Sequence, residues 1–171
     1  PFRVHMEVCE CPWNPKHRLV RVGVKGRVVE KDKRPFTNLV FLIDVSGSMG
    51  RHNKLPLVKE TLKMLVNELG ENDRITMVVY AGASGVVLDG ATCDKKAEVL
   101  GALDRLRSGG STHGSAGIHL AYQMAVKNFV KGGVNRVILC TDGDFNVGVT
   151  NRSELIRLVQ ARAKSNVFLT V

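Results

Sequence analysis

Three short stretches of this sequence gather small, oxygen-bearing side chains at spacings that suit a hard metal ion. The first is Asp44-Val45-Ser46-Gly47-Ser48, the second Gly109-Gly110-Ser111-Thr112-His113-Gly114, and the third Thr141-Asp142-Gly143-Asp144. Asp44, Ser46 and Ser48 alternate along a tight turn, so their oxygens can point to one side, and Gly47 lets the turn tighten because glycine tolerates the required backbone angles. Thr112 and Asp142 bring the donors to five, with few formal charges among them. Mg²⁺ takes near-octahedral oxygen coordination and keeps water readily, so such a set leaves the ion under-neutralised and one position open. The chemistry this predicts is capture of an outside carboxylate, an Asp or Glu of a partner, through a bound divalent cation.

The elements that must position these groups follow from hydrophobic periodicity. Residues 39–43 form a continuous apolar run, as in a strand buried on both faces of a parallel sheet. Residues 54–69 carry Val58, Leu62, Leu65, Val66 and Leu69 on one helical stripe, with Pro56 tolerated in the first turn. Residues 75–80 read as a second strand and 86–88 as a short third, joined as a hairpin through 81–85. A helix over about 95–107 precedes the loop at 108–114. The next helix starts near Ser115, with Ile118, Ala121, Ala125 and Phe129 at helical spacing. Residues 134–141 are a fourth strand and 167–171 a fifth. Asn151 with Glu154 three residues later marks the start of the helix between them. Strands alternating with helices predict an α/β fold with a doubly wound, mostly parallel sheet. In such a sheet functional groups gather beyond the carboxyl ends of the strands, where two of the three polar stretches fall; the third immediately precedes a helix.

The first 37 residues look different. Val20, Val22 and Val24 alternate with Arg21, Gly23 and Lys25, the pattern of a strand with one face covered, and prolines 12 and 15 make the stretch before it turn or extended chain. The domain reading is a β-rich flank over 1–37, a piece of an accessory region, and an α/β domain over 38–171 whose C-terminal part is missing, since the chain stops inside an apolar strand.

Length and composition bound the function. The 171 residues, 44% hydrophobic and 24% charged, suit one globular domain and exclude disorder as the overall description. No apolar run reaches the ~20 residues that span a bilayer, so membrane association would come only through segments outside this sequence. The net charge of +9 leans to the flank, where residues 1–37 hold nine basic and four acidic side chains. Few aromatics accompany them, which favours a solvated basic linker over a nucleic-acid footprint, and no nucleic-acid partner is expected. Cys9, Cys11, Cys93 and Cys140 include no CxxC pair, and His5, Cys9, Cys11 and His17 match no common zinc finger spacing. A Cys9–Cys11 disulfide would close a very tight ring.

At this point the sequence resembles the von Willebrand factor type A family and its metal-ion-dependent adhesion site. The family's Asp-x-Ser-x-Ser is matched by Asp44, Ser46 and Ser48 in FLIDVSGSM, its loop threonine by Thr112 in GGSTHG, and its strand-end aspartate by Asp142 in ILCTDGDFNVG. The stretches CPWNP, RPFTNLVFLIDVSGSM, GGSTHGSAGI and TDGDFNVG are similar to a bacterial subgroup of surface or periplasmic proteins that flank this domain with partly β-rich sequence. The resemblance implies Mg²⁺ or Mn²⁺ held directly by Ser46, Ser48 and Thr112 and partly through water by Asp44 and Asp142. It implies a non-enzymatic adhesion-type module for a protein partner offering Asp or Glu, and an exported bacterial protein, often a lipoprotein.

Plainer readings stand beside the sharp ones. Asp44 on its own would serve as a helix cap, although capping does not account for Asp142 and Thr112. His113 reads as a solvent-facing loop histidine, Asp144 as a loop-bracing acid, His119 and Met124 as packing or surface, and Trp13 as local packing of the flank. The alternative function is a Mg²⁺-dependent phosphohydrolase with Asp44 as nucleophile and Asp142 on the metal. Enzymes of the haloacid dehalogenase type place a second Asp two residues after the nucleophile; here that position is Ser46, which does not titrate near neutrality. A dinucleotide site lacks its GxGxxG turn, and a serine hydrolase lacks a GxSxG setting for Ser46.

Overall fold

In a computed structural model, residues 2–26, 34–109, 115–143 and 152–171 are described. The chain divides into two compact units, Pro1–Arg34 and Pro35–Val171.

The first unit is an antiparallel hairpin of β1 (Arg3–Glu10) and β2 (Arg18–Lys25). Its register sets Val4 against Val24, Met6 against Val22 and Val8 against Val20, so six aliphatic side chains share one face. The loop between the strands is closed by backbone hydrogen bonds, from Asn14 N–H to the Cys11 carbonyl and from His17 N–H to the Asn14 carbonyl. Both faces of the hairpin are exposed, which corrects the expectation of a covered face. Two strands make one layer, and among the described residues this unit has no second layer to bury the aliphatic face. β1 was not singled out from the sequence, although its apolar residues, Val4, Met6 and Val8, alternate with His5, Glu7 and Cys9 and the turn-forming stretch 11–15 follows it.

The second unit holds a five-stranded sheet in the order β5-β4-β3-β6-β7. Its strands are β3 (Thr37–Asp44), β4 (Arg74–Tyr80), β5 (Ser84–Thr92), β6 (Val134–Cys140) and β7 (Val167–Thr170). β3 pairs in parallel with both β4 and β6, and β6 with β7, while β5 closes one edge antiparallel to β4. The doubly wound, mostly parallel α/β expectation is met.

Helices α1 (Leu55–Glu68), α2 (Lys96–Arg105), α3 (Ser115–Lys127) and α4 (Arg152–Ala163) supply the outer layers. Leu39, Phe41 and Ile43 of β3 point into one core with Leu62 and Val66 of α1 and Val99 and Leu103 of α2. Val40 and Leu42 point into the other, with Ile118, Ala121 and Ala125 of α3. A strand whose alternate residues enter two cores must be apolar throughout, which is why residues 39–43 carry no polar break. Three details differ from expectation. β5 runs nine residues rather than three, because its pairing with β4 tolerates glycines that weaken the sequence signal. The second helix is preceded by a short 3-10 turn at Cys93–Lys95 and ends at Arg105. Phe129 lies beyond α3 and is exposed. Asn151, offered as the cap of α4, lies outside the described residues.

Candidate metal centre

The chain leaves β3 through α1 to reach β4 on one side, and later enters β6 on the other. The carboxyl ends of β3 and β6 therefore diverge into a crevice, the place where open α/β sheets build their sites. Asp44 ends β3 and is fully buried; Asp142 follows two residues after the end of β6, with its side chain 6% exposed.

After Asp44 the chain turns at once. Asp44 Oδ1 accepts the backbone N–H of Ser46 at 2.8 Å, which brings the first serine back toward the carboxylate. Residues Gly47–Gly50 then form one 3-10 turn, and the hydroxyls of Ser46 and Ser48 stand 3.1 Å apart. Ser46 is buried and Ser48 exposed, so the pair leads from the buried acid to the surface. Ser46 precedes the 3-10 turn without a side-chain capping bond, so capping accounts for neither hydroxyl. The other carboxylate oxygen, Asp44 Oδ2, is buried and has no hydrogen-bond partner among the described residues. A buried acceptor left so inside a protein is costly unless a donor or a cation satisfies it.

Two residues that sequence reasoning missed stand here. The Lys54 ammonium, just before α1, donates to Asp142 Oδ2 at 2.6 Å. Nothing in the spacing points to this pair, whose members lie 88 positions apart. Tyr80 ends β4 directly opposite Asp44 in the parallel register. Its buried hydroxyl makes no hydrogen bond of normal geometry among the described residues, although Thr141 and Asp44 lie close enough to act on it. Burial pushes the Tyr80 hydroxyl well above its ordinary range; the Thr141 contact opposes this, and the charges of Asp44 and Asp142 add to it. The phenol thus stays protonated, a neutral donor beside two acids. The strand pairing that sets Tyr80 against Asp44 leaves no local signal in the sequence. Burial likewise pushes the Cys140 thiol up to about 11, so it is no nucleophile at neutral pH.

Thr112, Ser111, His113 and Asp144 lie outside the described residues. The chain on either side of the Thr112 loop is held at the crevice. Gly109 N–H donates to the carbonyl of Val45 at 2.8 Å, between Asp44 and Ser46. Gly117 in α3 packs so closely that an added Cβ would stand 3.0 Å from the Tyr80 Cβ. No group of three or more His, Cys, Asp or Glu that could hold a metal ion occurs among the described residues; the candidate donors among them are two carboxylates and two hydroxyls. Such hard oxygens suit Mg²⁺ or Mn²⁺ rather than a soft metal. His119 is exposed and Met124 buried in the α3 core. Trp13 is exposed, which corrects its expected role in local packing: the hairpin offers it no second layer.

A family model for the von Willebrand factor type A domain matches residues 38–171. The chain belongs to the von Willebrand factor type A family. Domains of this family typically mediate protein interactions, often with a divalent metal, and are usually not enzymes. This von Willebrand type A chain is 44% identical over 170 residues to YfbK of Escherichia coli K12, covering 99% of the chain and 30% of YfbK. It spans less than a third of the length of the curated relatives first matched, at 30% and 32%. Among solved structures, a von Willebrand factor type A protein from Catenulispora acidiphila aligns with TM-score 0.62 at 20% identity, covering 98% of this chain and 39% of that one. BatB from Bacteroides thetaiotaomicron aligns with TM-score 0.61 at 23% identity, covering 79% and 65%. At these identities the structural likeness concerns the fold.

Proposed function

We propose that this domain binds a carboxylate-bearing protein partner through a divalent cation held by Asp44, Ser46, Ser48, Thr112 and Asp142. The observation that carries the reading is the buried Asp44 Oδ2, without a hydrogen-bond partner among the described residues, at the strand ends where Asp142 and the two serine hydroxyls also stand. A bound Mg²⁺ or Mn²⁺ supplies residual positive charge and an open coordination position for an outside Asp or Glu. Of the chain's own groups, Ser46 and Ser48 bring neutral oxygens, Asp44 braces the turn through the Ser46 N–H, and Asp142 brings the second charge. The net charge of +9 favours approach of an acidic partner. The family resemblance supports an exported bacterial setting, surface or periplasmic. The binding reading is preferred to the phosphohydrolase because Ser46 occupies the place of the general acid and is a buried hydroxyl held beside Ser48.

Titration calorimetry of the chain with Mn²⁺ is expected to give saturable heat that Asp44→Asn abolishes. An acidic peptide is expected to bind only with metal present and to be released by EDTA. No phosphate release from an aryl phosphate is expected; turnover lost in Asp44→Asn would instead favour the hydrolase.

A further inference from the structure

Lys54, like Tyr80, stands at this crevice without belonging to the adhesion-site motif, and it lies on a candidate metal ligand. Its ammonium lies 2.6 Å from Asp142 Oδ2, with the lysine side chain 27% exposed and the aspartate side chain 6% exposed. A carboxylate so buried requires a countercharge, and among the described residues Lys54 supplies it. The backbone at the base of this side chain is pinned: Lys54 N–H donates to the Arg51 carbonyl at 3.0 Å, and Val58 N–H donates to the Lys54 carbonyl at 2.9 Å. The stem above is four carbons with free rotors, and the side chain is already partly exposed. Such a side chain holds two positions cheaply, one on Asp142 and one in water.

A monovalent ammonium and a divalent ion do not share one carboxylate oxygen, and their mutual repulsion at a few ångströms opposes joint occupancy. We infer that Lys54 is a tethered counter-cation that sets the affinity of this site for divalent ions: it neutralises Asp142 in the metal-free protein and releases that carboxylate when a metal is bound. This rests on the metal-binding reading above. Lys54 acts as an affinity-determining residue, and the metal-free protein avoids two uncompensated buried acids because one is paired. The free protein is thereby kept folded, and weakly competing cations are kept out.

Three forms of the 171-residue chain test this by calorimetry with Mn²⁺ alone: wild type, Lys54→Met and Lys54→Arg. Lys54→Met is expected to bind about tenfold more tightly than wild type, the low end of what one adjacent opposite charge does to a carboxylate's hold on a cation. Lys54→Arg, which keeps the charge, is expected to bind no more tightly than wild type. Equal or weaker binding by Lys54→Met overturns the inference while leaving the metal site standing. Absence of heat from all three overturns the metal reading and this inference with it. Should Lys54→Met not fold, acetylation of wild-type lysines by an N-hydroxysuccinimide ester, read by mass spectrometry, decides the matter. Saturating Mn²⁺ is expected to speed modification of Lys54 about threefold relative to exposed Lys16, as a side chain 27% exposed becomes fully solvated. An unchanged rate with metal bound marks a static ion pair and overturns the inference.

Discussion

Asp44 carries an energetic penalty at the end of the central strand. Its Oδ1 is used by the Ser46 N–H, and its Oδ2 is buried without a partner among the described residues. An unmatched buried acceptor costs about 1–3 kcal/mol, more when charged. Asp44→Asn keeps an oxygen for Ser46 and gains an amide that can donate toward the Tyr80 hydroxyl, which has no hydrogen bond of normal geometry among the described residues. In EDTA this variant is therefore expected to be more stable than wild type by about 1 kcal/mol. Thermal unfolding followed by circular dichroism checks it: a higher midpoint in EDTA and no further rise with Mn²⁺, where wild type rises. A lower midpoint in EDTA would mean that the carboxylate is already satisfied. The Asp-x-Ser-x-Ser spacing was readable because it is local. The Tyr80 and Lys54 contributions were not, because each depends on a strand or helix brought alongside from elsewhere in the chain.

The sheet edge opposite the Asp142 side is held by a network that hydrophobic patterning does not reveal. Asn128, just after α3, donates from Nδ2 to Thr76 Oγ1 at 3.2 Å and to Asp89 Oδ1 at 3.0 Å. Lys127 also donates to Asp89, and this hydrogen bond, with that from Asn128, holds the Asp89 carboxyl below the usual carboxylate range. Gly90 sits among these groups at φ +59°, its N–H donating to Thr76 Oγ1 at 3.0 Å, and a Cβ there would stand 2.6 Å from Asn128 Oδ1. Gly90→Ala thus combines left-handed strain with displacement of the amide that ties α3 to β4 and β5. A loss of about 2–3 kcal/mol is expected in urea unfolding. Gly85→Ala on the same strand meets nothing within 4 Å and is expected to be near neutral. Equal effects at the two positions would remove the Asn128 contact as the cause. Periodicity located α3 and the existence of β5, but the length of β5 came from its pairing partner.

The two units differ in what holds them together. Among the described residues, Cys11 aside, every buried apolar side chain lies at Leu39 or later, in two cores on either side of one sheet. The hairpin has two strands with exposed faces and surface ion pairs, Arg18–Glu10 at 2.9 Å and Arg21–Glu7 at 3.3 Å, which add little in water. Two strands alone are marginal. A chain beginning at Pro35 is therefore expected to unfold within about 3 °C of the 171-residue chain, about the shift that 1 kcal/mol produces in a chain of this size. It is also expected to retain its Mn²⁺ heat. Calorimetric scanning of both forms checks this, and a large drop would assign the hairpin a stabilising role.

The alternation of buried strands with amphipathic helices, and the crevice at the strand ends, were legible in the amino-acid order. Burial of one face or two leaves a period that needs no knowledge of neighbours. The family likeness rested on the same local stretches, Asp44 to Ser48 and the strand end before Asp142. Which strand lies beside β3, and in what register, is a long-range choice made by packing two cores at once. That choice alone sets Tyr80 against Asp44, Lys54 on Asp142 and Asn128 against Gly90. Each such contact joins residues tens of positions apart, where periodicity carries no information and only closed, dense packing selects the partner.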